Sequence, residues 1–92
     1  MEQMKSYIIS YDLVGPARDY ESLIDKIKSY STWATPLESV WLIRSRKTAG
    51  EIRTDLKATL DSDDKLIVIQ HKDDWASKGI SKTVSNWMHD NF

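Results

Sequence analysis

Asp12 ends the first strongly apolar segment, Tyr7-Ile8-Ile9-Ser10-Tyr11-Asp12-Leu13, and a carboxylate at the exit of a strand can take a metal ion or a proton. Magnesium accepts oxygen ligands, keeps several waters and needs only one or two carboxylates besides substrate phosphate. Two copies of Asp12 across a symmetric interface could meet that need, with the metal activating a bound water. The competing structural role is an aspartate that starts the turn before Gly15 or pairs with a nearby arginine. Arg44, Arg46 and Lys47 form the dense basic cluster of the chain, and Arg18 lies at the expected start of the first helix. Together these four side chains could clamp a phosphate backbone. The same cluster could equally be the solvated end of a strand.

Other groups point less clearly to chemistry. His71 follows the last core strand and could act as a general acid or base near neutral pH. His89 falls on the terminal helix, where a surface position is expected. Trp33, Trp41, Trp75 and Trp87 could stack on bases, but their spread over four segments fits core and interface anchors better. Asp61-Ser62-Asp63-Asp64 lacks the spaced ligands and closing glutamate of a calcium loop and reads as a turn.

The elements that must position these groups follow from periodicity. Ser6 to Leu13 alternates as a strand and is broken by Gly15-Pro16. From Arg18 to Tyr30 the stripe Tyr20, Leu23, Ile24 and Ile27 predicts a helix. Residues 31–36 form a short strand or turn, and Ser39 to Ile43 a second strand. Thr48-Ala49-Gly50-Glu51 fits a capping box that opens a helix bearing Ala49, Ile52, Leu56 and Leu60 on one face. Lys65 to Gln70 is a buried strand by its continuous apolar run, and a last helix capped by Ser81 turns Val84, Trp87 and Met88 inward. The order predicts one α+β domain over residues 1–92: a ferredoxin-like βαββαβ antiparallel sheet, with 73–92 as a C-terminal helical extension. With the first and third strands taken as parallel neighbours, Asp12 would meet Arg44, Ser45 and Arg46. Trp41 or Tyr11 on the uncovered sheet face would favour a covering helix or a second subunit.

Composition limits the alternatives. The 92 residues, 40% hydrophobic and 29% charged, are those of an ordinary single globular domain. A net charge of -1 provides no global positive field to steer the chain to nucleic acid. With no cysteine, thiolate catalysis, disulfides and zinc–cysteine sites are excluded, and two separated histidines argue against a histidine cage. Four tryptophans and four tyrosines exceed what so small a core readily hides, which favours self-association. No apolar run reaches the length of a signal peptide or membrane helix, so no membrane partner and a cytoplasmic location are expected.

The order of motifs resembles the small CRISPR-associated adaptation proteins, second in the Cas series, and the related VapD-type toxins. The likeness rests on Tyr7 to Leu13 with its Tyr11-Asp12 pair, on Ser39-Val40-Trp41 where the family has Ser-Val-Phe, and on Thr48 to Gln70. Leu37-Glu38-Ser39 and the tryptophan-bearing last helix resemble most the bacterial proteins labelled SinR family or Cas-two-like. The resemblance implies a homodimer whose sheets face each other, with two Asp12 carboxylates sharing a magnesium ion for hydrolysis of RNA or double-stranded DNA. Two features depart from the family pattern: Leu37-Glu38 stands where a glutamine is common, and a helix replaces the C-terminal strand. If the chain is an enzyme, the expected activity is a magnesium-dependent endoribonuclease or endodeoxyribonuclease. The alternatives are a non-catalytic dimerisation or adaptor module with the same fold, and a regulatory module binding a nucleotide or other anion near Arg44 and Arg46.

Overall fold

The structure is a computed structural model that describes residues 4–14 and 20–92. Its elements run β1 (Lys5–Asp12), α1 (Tyr20–Lys28), β2 (Thr32–Leu37), β3 (Val40–Ser45), α2 (Ala49–Lys57), β4 (Lys65–His71) and α3 (Lys82–Asn91). The four strands form one antiparallel sheet in the order β2-β3-β1-β4. This small α+β architecture is compatible with the ferredoxin-like arrangement expected from the sequence. The Gly15-Pro16 break and the expected helix start at Arg18 lie outside the described residues.

Alternation along β1 decides the layers. Tyr7, Ile9 and Tyr11 point to one side, where they meet Ile43 and Trp41 of β3, Leu23 and Ile27 of α1, and Ile52 and Leu56 of α2. These residues are the core. Its polar atoms are satisfied: the Trp41 indole N–H donates to the Tyr11 hydroxyl at 3.2 Å, and the Tyr7 hydroxyl donates to the Lys47 carbonyl at 2.6 Å. Trp41 and Tyr11 therefore face the helices, so neither lies on the uncovered face, where it would have favoured a covering helix or a second subunit. Their slots alternate with Leu42 and Ser10, and the apolar run Val40-Trp41-Leu42-Ile43 carries no period that reveals its orientation.

Local chemistry sets the element ends. Thr48 and Glu51 form the expected capping box: the Glu51 backbone N–H donates to the Thr48 hydroxyl, and the Thr48 backbone N–H to the Glu51 carboxylate at 2.9 Å. Ser81 caps α3 through the Val84 N–H at 3.2 Å. Pro36 sits on β2, an edge strand where a missing N–H breaks no central ladder, within a register shift between Ala34 and Leu37. Asp64 ties its turn to the sheet, accepting the backbone N–H groups of Asp61 and Val14.

The opposite sheet face carries Ser6, Ile8, Ser10 and Asp12 of β1, flanked by Val40, Leu42 and Arg44 of β3 and by Lys65, Ile67, Ile69 and His71 of β4. Helix α3 covers one end of it. The Ser6 hydroxyl donates to the Asn91 carbonyl at 2.6 Å, the Trp87 indole donates to Thr32 at 2.8 Å, and the Phe92 ring stacks on His71 at 4.5 Å. Met88 is buried there, as are Leu42 and Ala34. No helix among the described residues is long and apolar enough to cross a membrane.

Candidate functional site

Asp12 occupies the end of the open face that α3 leaves uncovered. Its cross-strand neighbour is Lys65, and the two line a shallow depression with Ser10 and Ile67. The carboxylate is exposed and makes no hydrogen bond or ion pair among the described residues. Beside it Ile67 and Ile69 of β4 are 54% and 47% exposed, an uncommon fate for two isoleucines on one strand.

The basic cluster lies elsewhere. Ser6 is the partner of Arg44 on one side and of His71 on the other, so both sit at the start of β1 and Asp12 at its end. Six residues of strand separate them, about 20 Å. The expected meeting of Asp12 with Arg44, Ser45 and Arg46 is thus corrected. It needed β1 and β3 parallel, whereas the short β2–β3 hairpin reverses β3 against β1. His71 stands at the end opposite to Asp12, as expected from the antiparallel β4. Arg18 lies outside the described residues. Among the described residues no group of three or more histidine, cysteine, aspartate or glutamate side chains gathers into a metal site. Across the ladder from Asp12 the neighbouring strand presents the Lys65 ammonium, not a second carboxylate.

Around the basic cluster the structure assembles a network that periodicity did not indicate. Lys47 Nζ meets Asp55 Oδ2 at 2.6 Å, and the Tyr30 hydroxyl donates to the same oxygen at 2.8 Å. The hydrogen bonds from Lys47 and then Tyr30 hold the Asp55 carboxyl below its usual range against a smaller opposing effect of burial. Burial, followed by the hydrogen bond and charge of Asp55, pushes the Tyr30 phenol well above its usual range. Tyr30 is therefore a protonated donor at every physiological pH. Tyr30, Lys47 and Asp55 come from three separate segments, and no spacing rule links them.

These shifts have opposite pH signatures. A depressed carboxyl stabilises the fold above its ordinary value near 4, and that contribution fades as pH falls through the lower folded value. Because the Lys47 side chain is half-exposed, the effect is at most about 1 kcal/mol. Asp55→Asn is expected to make the loss of thermal stability between roughly pH 5 and pH 2 shallower by up to that amount. Some slope persists, since the Glu51 carboxyl is also lowered, chiefly by the Thr48 backbone N–H. On the alkaline side Tyr30 contributes fully below about pH 10 and loses its contribution above it, as the unfolded phenol ionises first. Thermal melts of both proteins across pH read both limbs.

The four tryptophans divide by environment. Trp41 is core, and Trp33 packs on it at 5.4 Å with Lys28 Nζ 5.2 Å from the Trp33 ring centre. Trp87 is the hydrogen-bonded anchor of α3, and Trp75 tilts against His89 at 5.1 Å. No two of them form an open stacking platform.

No family model matches the chain, and no solved structure matches it.

Proposed function

We propose that this chain is a Cas-two-like homodimeric protein of ferredoxin-like fold that acts on the phosphodiester backbone of RNA or double-stranded DNA. Asp12 is its metal-binding and catalytic group. The supporting observation is the placement of Asp12 on the uncovered end of the sheet face, beside the exposed Ile67 and Ile69. Burying those two isoleucines against a second copy would bring the Asp12-bearing surfaces together. Paired Asp12 carboxylates would hold a magnesium ion, which supplies an activated water and neutralises charge on the phosphate. Lys65, one strand away, would offset phosphate charge rather than ligate metal.

A second reading is a non-catalytic dimerisation or adaptor module. It is favoured by the lack of any group of three or more metal-ligating side chains among the described residues and by the distance of about 20 Å between Asp12 and Arg44. Incubation with RNA and with double-stranded DNA, with magnesium or with a chelator, separates the two. Cleavage only with magnesium supports the first, and intact substrate in every condition supports the second. Both readings need the dimer. Ile69→Lys is expected to convert it to a folded monomer, raising the dimer dissociation constant roughly hundredfold, because two ammonium groups would be desolvated at the interface. Light scattering coupled to gel filtration measures this, and a chain that is already monomeric before substitution removes the shared-metal mechanism.

A further inference from the structure

The end of β1 remote from Asp12 opens onto a cleft of about 430 Å³, lined by Tyr30 and Ser31 after α1 and by Arg44, Arg46 and Lys47 at the end of β3. Its cations are not equivalent. Lys47 is engaged by Asp55 at 2.6 Å. Arg44 is fixed, its Nη2 donating to the Met4 carbonyl at 3.2 Å while its Nε is buried without a hydrogen-bond partner. Arg46 is exposed and has no hydrogen bond or ion pair among the described residues. Since Lys47 neutralises Asp55, the field in the cleft comes from two guanidinium groups, one immobile and one free to close on a ligand.

Two guanidiniums lining one open cleft match a compact dianion with several acceptor oxygens. A backbone phosphodiester carries one negative charge, whereas a terminal phosphate monoester carries close to two at neutral pH and so gains more from the paired cations. We propose that this cleft binds a terminal phosphate monoester, with Arg46 as the closing donor, Arg44 as the fixed charge and Ser31 as a hydroxyl donor on the opposite wall. The site is separate from Asp12 and stands whether or not Asp12 binds metal. Its ligand is either the 5′-phosphate end of an oligonucleotide or a free nucleoside monophosphate, which present the same group.

The test compares two pairs of probes at neutral pH in the presence of a chelator: a short RNA with 5′-phosphate against the same RNA with 5′-hydroxyl, and adenosine monophosphate against adenosine. Affinity is measured by anisotropy for the RNAs and by calorimetry for the nucleosides. The phosphorylated member of at least one pair is expected to bind about tenfold more tightly. The preference should disappear in Arg46→Gln, persist in part in Arg46→Lys and be unchanged in Lys82→Gln, which removes the same charge from α3. Discrimination only between the RNAs identifies an oligonucleotide end, and discrimination between the nucleosides shows that the free nucleotide suffices. No discrimination in either pair overturns the proposal, as does equal loss in Arg46→Gln and Lys82→Gln, which would mean diffuse charge alone. Arg46 is exposed and has no partner among the described residues, so the variant is expected to melt with the parent protein, and circular dichroism checks this.

Discussion

Asp12→Ala is expected to reduce magnesium-dependent cleavage of RNA or double-stranded DNA to background while leaving the fold intact. The side chain is exposed and without a partner among the described residues, so its removal disturbs no packing and no network among them. Such surface changes stay within about 0.5 kcal/mol of the parent. Losing Asp12 also relieves nothing that Lys65 depends on, since the two form no ion pair. In a dimer with a shared ion, one substitution removes both protein ligands at once, which is why the effect should be complete. Asp12→Asn tests the charge apart from the shape and should also be inactive, because a neutral amide is a poor magnesium ligand. Cleavage gels paired with thermal melts give both readouts. Activity that survives either substitution would place the chemistry elsewhere.

Ile9→Ala is expected to have the largest effect on stability, about 2–5 kcal/mol. Ile9 is fully buried in β1, with Trp41 of β3 and Val68 of β4 as cross-strand partners, so neither neighbouring strand can collapse into the cavity without shifting its ladder. A domain of this length has roughly 5–14 kcal/mol in total. The urea midpoint should therefore fall by at least about a seventh, with the slope of the transition unchanged. Ile69→Ala, one ladder position away on the other face and half-exposed, is the contrast and should cost less than about 1 kcal/mol in the monomer. Equal losses at the two positions would mean that the helix-facing layer is not the core.

The contrast between those isoleucines also shows what periodicity can and cannot convey. Alternation along Tyr7 to Asp12 places Ile9 and Asp12 on different faces, and the apolar spacing of Leu23, Ile27, Ile52 and Leu56 identifies the helix sides that cover the first of them. The Thr48–Glu51 box and the Ser81 cap are visible because capping chemistry is local. Strand direction is not local. It follows from counting chain reversals, and the tight turn at Glu38-Ser39 makes β3 antiparallel to β1, which carries Arg44 away from Asp12. Asp12 itself was legible as an exposed strand-end carboxylate. The Tyr30–Asp55–Lys47 network was not, because its members meet only after α1, β3 and α2 have packed.

The seat of α3 has a consequence for the order of assembly. Its attachments include Ser6 on β1, Thr32 on β2 and His71 on β4, strands that span both edges of the sheet. The bond from Ser6 to Asn91 alone spans 85 positions. Until β3 has bridged β2 to β1 and β4 has paired on the far side, these three anchors are not together and the helix has nothing to dock on. Helix α3 is thus expected to settle last and to leave first, which amide hydrogen exchange along Lys82–Asn91 reads directly.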